Sequence, residues 1–250
     1  MKIYVLSSIS ERLPGEKFLW IALDVIRATS TIVTFFACGG KHLYLTSSIR
    51  EARIIKKGNP QVLLMGERGG VKIAGFDFDN SPTEIMENSS LIRGKNAVLT
   101  TTNGTKLLRK ILKGGQDAIV GSILNLDAAV KFALEVFSKG GFNGIGIACA
   151  GKEGNLVSDD FYCAGVIVSR IRELIGSVIE LNDAACIAFN WASHNDALDV
   201  FLRSASGKNA IKHGKYRDVE FCSKFNLFDL VPIATGKGEV ILKNVTLAGL

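Results

Sequence analysis

Short apolar runs alternate along most of the chain with stretches of helical periodicity. The apolar runs have strand length and lie at 3–6, 19–23, 43–45, 62–65, 97–99, 118–120 and 145–149. Apolar residues recur with the helical period at 28–38, 48–57, 104–113, 126–138 and 159–175. Several apolar runs lack alternation, which is typical of strands buried on both faces. The pattern predicts an α/β fold whose largely parallel sheet is covered on both sides by helices.

The pattern changes after residue 180. The segment 182–205 predicts one or two further helices, whereas DVEFC at 218–222, LVPIA at 230–234 and EVILKNVTL at 239–247 resemble terminal strands. If these late strands run antiparallel, the sheet is mixed. Because no linker rich in proline, serine or glycine divides the chain, we expect residues 1–250 to form one domain.

Composition limits the class of protein. Of the 250 residues, 47% are hydrophobic, which is enough for a sizeable core. No apolar run approaches the roughly 18 residues of a membrane span, and the N-terminus becomes polar too soon for a signal peptide. The five cysteines are odd in number and far apart, which predicts buried thiols in a reducing compartment. We therefore expect a cytoplasmic protein without a membrane partner.

The net charge of +6 favours an acidic partner. The basic residues are scattered singly or in pairs and form no stripe interleaved with aromatic residues, so we expect no nucleic-acid partner. A small anionic substrate fits the charge better. The sequence leaves the oligomeric state open, with a homodimer as one option.

Four polar islands that contain glycine interrupt the apolar pattern, and each follows a predicted strand. They are DVIRATST at 24–31, GERGG with GFDFDNSP at 66–82, TTTNGT at 100–105 and AGKEGNLVSDD at 150–160. Open α/β sheets bind their ligands at the carboxyl ends of their strands, so the islands are predicted to lie together. Their carboxylates, guanidiniums and backbone N–H groups suit a hard cation and a multiply charged anion.

The first island places a carboxylate beside a helix start. Asp24 is predicted at the end of a strand, and Thr29 lies in the first turn of the next helix, where anions bind. Arg27 follows Asp24 by three residues and is a candidate anion ligand. The alternative is that Asp24 only caps the helix, which would not explain Arg27.

The second island joins charge to a glycine turn. Gly69 and Gly70 can turn their backbone N–H groups toward an anion, and Arg68 can hold it with two parallel hydrogen bonds. Glu67 adds a carboxylate. Asp79, further along, is interpreted as part of a turn before the next helix.

The third and fourth islands complete the predicted site. Thr102, Asn103 and Gly104 precede a helix and could cradle a phosphate or sulfonate. Asp159 and Asp160 are predicted in the first turn of another helix, where the helix dipole alone favours acidic residues. A metal site at these carboxylates is the functional alternative.

Other mechanisms lack their motifs. No cysteine is followed six residues later by the arginine of a cysteine phosphatase, the three histidines match no zinc spacing, and GxGxxG is absent. An enzyme acting on a small phosphorylated anion therefore fits the islands best.

Taken in order, DVIRATST, GERGG with GFDFDNSP, TTNGT, SDDFYCAG and DVEFC resemble the signature blocks of the 2-phosphosulfolactate phosphatase family. The resemblance spans essentially the whole chain. It implies a three-layer α/β/α fold and Mg²⁺-dependent hydrolysis of 2-phospho-3-sulfolactate to sulfolactate and phosphate, a step toward coenzyme M. By position, Asp24, Arg27, Glu67, Arg68, Asn103 and Asp160 fall in the matching motifs. From the residues and the resemblance together we expect catalytic roles for Asp24, Glu67 and Asp160, substrate binding by Arg27, Thr29, Arg68, Gly69, Gly70, Thr102, Asn103 and Gly104, and metal binding by Asp24, Glu67, Asp159 and Asp160.

Two residues depart from the family pattern, which usually has glycine in place of Asp79 and glutamate in place of Asp159. A metal-activated water is the favoured nucleophile, while covalent attack by Asp24 stays open. Two other functions also stay open: a phosphatase of another small phosphorylated acid, and a non-catalytic protein that binds anionic metabolites.

Overall fold

The computed structural model describes residues 1–176, 179–236 and 238–243. Eleven strands lie within these ranges: β1 Lys2–Leu6, β2 Phe18–Leu23, β3 His42–Leu45, β4 Leu63–Arg68, β5 Val71–Lys72, β6 Asn96–Thr100, β7 Ala118–Val120, β8 Gly144–Cys149, β9 Glu180–Leu181, β10 Val231–Thr235 and β11 Glu239–Lys243. The helices of the same ranges are α1 Ala28–Ala37, α2 Ile49–Gly58, α3 Pro82–Glu87, α4 Ser89–Ile92, α5 Gly104–Lys113, α6 Leu126–Ser138, α7 Ser158–Ile175, α8 Asp183–Ala192, α9 Ala197–Arg203, α10 Ala205–Lys212 and α11 Tyr216–Cys222, with a 3-10 helix at Ile123–Asn125.

The strands form one mixed sheet in the order β5-β4-β6-β3-β11-β10-β7-β2-β8-β1-β9. Strands β4, β6 and β3 are parallel to one another, as are β7, β2, β8, β1 and β9. Three antiparallel pairings, β3 with β11, β11 with β10 and β10 with β7, separate the two parallel groups. The two groups therefore run in opposite senses within the sheet.

Sheet twist explains how two opposed groups can still share one site. Neighbouring strands rotate by about 20–25°, so the five steps from β6 to β2 add roughly 100° or more of rotation. A rotation of this size reduces the reversal of strand direction between β2 and β6. Gly104, just after β6, indeed lies against Asp24, just after β2.

Successive side chains of β2 point to opposite faces of the sheet and pack in two different hydrophobic clusters. Trp20 and Ala22 pack in a cluster with Ile32 and Phe35 of α1 and Leu108 of α5. The intervening β2 residues Ile21 and Leu23 belong to a second cluster with α6 and α7. A smaller cluster places α2 against β4 and β6. Helices thus cover both faces, and the three-layer α/β/α fold with a largely parallel, mixed sheet is confirmed.

The hydrophobic pattern located the early elements correctly. All seven predicted strands and all five predicted helices of that part are confirmed, with shifts of at most three residues at their ends. Segment 182–205 contains α8 and α9, and LVPIA contains β10, as expected. EVILKNVTL supplies β11, while its last four residues lie outside the described residues.

The strand predicted for DVEFC is wrong, because this segment belongs to α11. Its buried residues are Asp218, Val219 and Cys222, a spacing that places them on one side of a helix. The five letters also alternate, and a stretch this short cannot distinguish the two periods.

Two further properties of composition can be compared with the structure. Four cysteines are buried free thiols as predicted, whereas Cys186 is exposed. None of the helices in the described ranges is long and apolar enough to cross a membrane.

Candidate active site

A polar pocket with a volume of about 190 Å³ lies where the four islands meet. The loops after β2, β4, β6 and β8 line it, and α10 contributes a further wall. The lining residues are Asp24, Ile26, Arg27, Glu67, Gly69, Gly70, Asn80, Thr102, Asn103, Lys152, Glu153, Ser206, Asn209 and Ala210.

Asp24 is held between β2 and α1. Its backbone N–H donates to Thr29 Oγ1 at 3.2 Å, and the Thr29 N–H donates to the Asp24 carbonyl at 2.9 Å. Thr29 is itself buried, so it fixes the turn that carries Asp24. Burial, together with the charges of Glu67 and Asp159, raises the pKa of Asp24 to about 7. Near neutral pH this carboxyl can therefore both hold and release a proton.

Asp159 and Asp160 lie side by side in the first turn of α7 but have different surroundings. Asp160 accepts hydrogen bonds from the N–H groups of Val25 at 2.8 Å and Gly151 at 3.0 Å, so it ties two loops of the site together. Neither carboxylate oxygen of Asp159 has a hydrogen-bond partner in good geometry among the described residues, although the side chain is only 1% exposed and the hydroxyls of Ser204 and Ser206 lie nearby. Burial raises the pKa of Asp159 to about 6 and that of Asp160 well above its usual range.

Glu67 organises one wall of the pocket. Its Oε1 accepts from the Thr102 N–H at 2.7 Å, and its Oε2 accepts from the Gly70 N–H at 2.7 Å and from Thr102 Oγ1 at 3.1 Å. The N–H of Gly69 also donates within the protein, to Thr102 Oγ1 at 3.3 Å. The glycine turn and the threonine loop are therefore joined through Glu67.

Arg27 lines the pocket, and a pair of buried aspartates neutralises its guanidinium. Nη1 donates to Asp218 at 2.7 Å and to Asp79 at 3.3 Å, while Nη2 donates to the Gly70 carbonyl at 3.2 Å. Asp79 also pairs with Lys215 at 2.9 Å. Asp79 is thus more than the turn residue that its sequence context indicates, whereas the neighbouring Ser81 does cap α3.

The structure also places the remaining predicted ligands. Arg68 turns its guanidinium along the strands, donating to the Glu67 carbonyl at 2.6 Å and to Thr100 Oγ1 at 2.8 Å. Asn103 lines the pocket directly. Gly104 packs so closely against Ala28 and Asp24 that an added Cβ would lie 2.6 Å from Asp24 Oδ2. Only a residue without a side chain fits at position 104.

Helix α10, which follows the other pocket residues in the sequence, covers the pocket. Its N-cap, Ser204, accepts from the Gly207 N–H at 2.8 Å, and Ser206 and Asn209 face the pocket. Asn209 Nδ2 donates to the Gly69 carbonyl at 3.2 Å, which joins the cover to the glycine turn. The sequence pattern predicted no element for residues 206–212, which form most of this helix.

Three contributors escaped the sequence analysis: Asp218, Lys152 and α10. Asp218 was part of the quoted block DVEFC, so a signal existed for the position but not for its pairing with Arg27. Lys152 lies within the fourth island, where the paired acids Asp159 and Asp160 are the stronger signal. No pattern in the sequence indicated that α10 would reach Gly69.

A divalent cation fits part of this donor set. The described residues contain no group of three His, Cys, Asp or Glu side chains arranged to hold a metal by themselves. Mg²⁺, however, usually keeps several waters and binds through one or two carboxylates and a substrate phosphate. A buried carboxylate without a partner, such as Asp159, is costly unless it is protonated or meets a cation. Asp24 and Asp159 are two buried carboxylates close enough to affect each other's charge, so they could supply the one or two protein ligands that Mg²⁺ uses.

The sheet and this pocket define an α/β protein with a small acidic site at the ends of its strands, built for a compact, charged ligand. The sequence model of the 2-phosphosulpholactate phosphatase family matches residues 6–237, and the chain belongs to that family.

Curated relatives support the assignment over nearly the full chain. A protein of Carboxydothermus hydrogenoformans is 38% identical over 93% of this chain and 92% of its own length. Proteins of Clostridium perfringens (strain SM101) and Thermotoga maritima are each 37% identical, covering 92% of this chain and 92% and 94% of their own lengths. All three carry the description "Probable 2-phosphosulfolactate phosphatase". The family resemblance drawn from the sequence blocks is confirmed.

Proposed function

We propose that this chain is a phosphoric monoester hydrolase that converts 2-phospho-3-sulfolactate and water to 3-sulfolactate and phosphate. The observation that carries the proposal is the environment of Asp24 in the pocket, where the charges of Glu67 and Asp159 raise its pKa. The chain also belongs to this phosphatase family. A phosphoryl group is anionic, so these carboxylates suit phosphoryl transfer together with a bound cation that offsets their charge. The place of the reaction on a route to coenzyme M stays a prediction from the resemblance.

Mg²⁺ is the proposed cofactor, and Asp24 and Asp159 are the residues that would hold it. Glu67 and Asp160 already accept two or more hydrogen bonds each, so their proposed roles are to position the loops. The bound cation would neutralise phosphoryl oxygens and act as a Lewis acid.

The side chains of the pocket support a direct displacement. A water oxygen forms the new bond to phosphorus as the bond to the ester oxygen breaks, and the Asp24 carboxylate accepts the proton that the water loses. The pKa of about 7 applies to Asp24 in the metal-free protein, and a bound cation would favour the charged form that accepts the proton. The released alkoxide of sulfolactate takes a proton from solvent. Arg27, Asn103 and the wall organised by Glu67 orient the anion during this step.

Phosphate release from three substrates tests the proposal. The substrates are 2-phospho-3-sulfolactate, 2-phospholactate and isopropyl phosphate, each assayed with Mg²⁺ and with excess EDTA. We expect the highest kcat/KM on 2-phospho-3-sulfolactate with Mg²⁺ and little release in EDTA. A preference for 2-phospholactate would assign another phosphorylated acid as substrate. Binding without phosphate release would favour a metabolite sensor, and full activity in EDTA would contradict the metal assignment.

A further inference from the structure

We propose that Lys152 selects substrates that carry a second anionic group, a carboxylate or a sulfonate, beside the phosphate ester. This inference rests on the proposed function and assigns a specificity residue to the same pocket. Lys152 lines the pocket from the loop that follows β8.

The balance of charge in the pocket leaves Lys152 available for an anion. Asp24, Glu67 and Glu153 supply acidic groups to the lining, and Arg27 and Lys152 supply basic ones. Arg27 already faces two buried aspartates. Lys152 forms no ion pair within the part of the chain that the structure describes. An incoming anion can therefore pair with its ammonium group without displacing a protein carboxylate.

The position of Lys152 separates it from the residues around the phosphoryl group. Strand β8 pairs with β2 on the side away from β7, so the loop after β8 begins beside the loop that carries Asp24, which Gly104 of the β6 loop also contacts. A phosphate ester held near Asp24 would extend its acid portion toward Lys152. Ser206 and Asn209 line the same pocket and offer uncharged hydrogen-bond donors.

The backbone around Lys152 is fixed from both sides. The Lys152 N–H donates to the Asn155 carbonyl at 2.9 Å, and the Asn155 N–H returns a bond of 2.9 Å to the Lys152 carbonyl. Gly151 is tied to Asp160, and the Gly154 carbonyl accepts hydrogen bonds from the hydroxyls of Ser8 and Ser10. The charge is therefore carried on an ordered loop, as discrimination between similar acids requires.

The experiment compares Lys152→Met, Lys152→Arg and the exposed control Lys113→Met with the unmodified protein on the three substrates named above. In Lys152→Met we expect kcat/KM on 2-phospho-3-sulfolactate to fall about tenfold or more, mainly through KM, as for a lost hydrogen bond to a charged group. On isopropyl phosphate the change should stay below about threefold, because no second anion is present. Lys152→Arg should recover part of the loss, and Lys113→Met should change neither value.

The panel also identifies the anion. A loss on 2-phospho-3-sulfolactate but not on 2-phospholactate assigns Lys152 to the sulfonate, and equal losses on both assign it to the carboxylate. Equal losses on all three substrates, or no loss on any, would overturn the inference. Calorimetric binding of 3-sulfolactate to the unmodified and Lys152→Met proteins needs no turnover, so it tests the inference even if the proposed reaction fails. Equal dissociation constants, or no binding to the unmodified protein, would overturn it.

Discussion

Arg27 and Asp218 are 191 residues apart in the chain, yet Nη1 of the arginine donates to the aspartate at a distance of 2.7 Å. Both side chains are almost fully buried. Asp218 also accepts hydrogen bonds from Ser81 and Thr83, so α11 holds the turn before α3 and the pocket arginine at the same time. This pair fixes where the guanidinium meets the pocket.

Replacing Asp218 by asparagine should therefore disturb both stability and substrate binding. Breaking a buried pair leaves an arginine charge with less compensation, and we expect unfolding free energy to fall by about 3 kcal/mol. KM should rise more than kcat falls, because Arg27 orients the anion. Urea unfolding and steady-state kinetics measure the two effects. The exposed Asp199, paired with Arg203, provides a control, and Asp199→Asn should cost less than about 1 kcal/mol. Equal stability of the two variants would contradict the role of the pair.

Replacing Asp24 by asparagine should separate catalysis from stability. Asparagine resembles the neutral form of the carboxyl, so the repulsion from Glu67 and Asp159 disappears. We expect kcat to fall by about a hundredfold or more, the usual range for a lost proton acceptor. The metal-free variant should also melt at a higher temperature than the unmodified protein at pH 8. An unchanged kcat would contradict the catalytic role of Asp24, and a lower stability at pH 8 would contradict its repulsion by Glu67 and Asp159.

The raised pKa values predict how the stability of the metal-free protein depends on pH. Asp24 and Asp159 bind protons in the folded state with pKa values of about 7 and about 6, against an ordinary value of 3.8. Between pH 4 and 7 the folded state therefore holds more protons than the unfolded state, and stability falls as pH rises through this range. Melting temperatures measured in EDTA should decline from pH 4.5 to 8, and the raised pKa of Asp160 should add to the decline. Mg²⁺ should restore much of the loss at pH 8, and a stability that rises with pH would refute the assignment.

Gly104→Ala tests the close approach of the β6 loop to the pocket floor. The added Cβ would lie 2.6 Å from both Ala28 Cβ and Asp24 Oδ2, so Asp24 must move. We expect kcat to fall by about tenfold or more, since small displacements of a reacting group are costly. Gly15→Ala is a matched control, because no atom lies within 4 Å of its added Cβ. The prediction fails if both variants have the kinetics of the unmodified protein.

Local pattern was sufficient for most of the fold. The continuous apolar run of β2 and the helical stripe of α5 each depend on neighbours a few residues apart, and the predicted bounds agree with the structure to within one residue. Where the segment was short, as in α11, the same reasoning chose the wrong period. The sequence also located the loops of the pocket, because each polar island follows the carboxyl end of a buried strand.

The sequence by itself thus determined the class of fold, the family and the positions of the polar islands. Only the tertiary structure decided that two opposed groups of strands would meet at Asp24, that Asp79 and Asp218 would neutralise Arg27, and that α10 would cover the pocket. These pairings join residues 52, 191 and 140 positions apart in the chain. Hydrophobic periodicity reports which face of an element is buried, but the partner of a buried charge depends on the path of the whole chain.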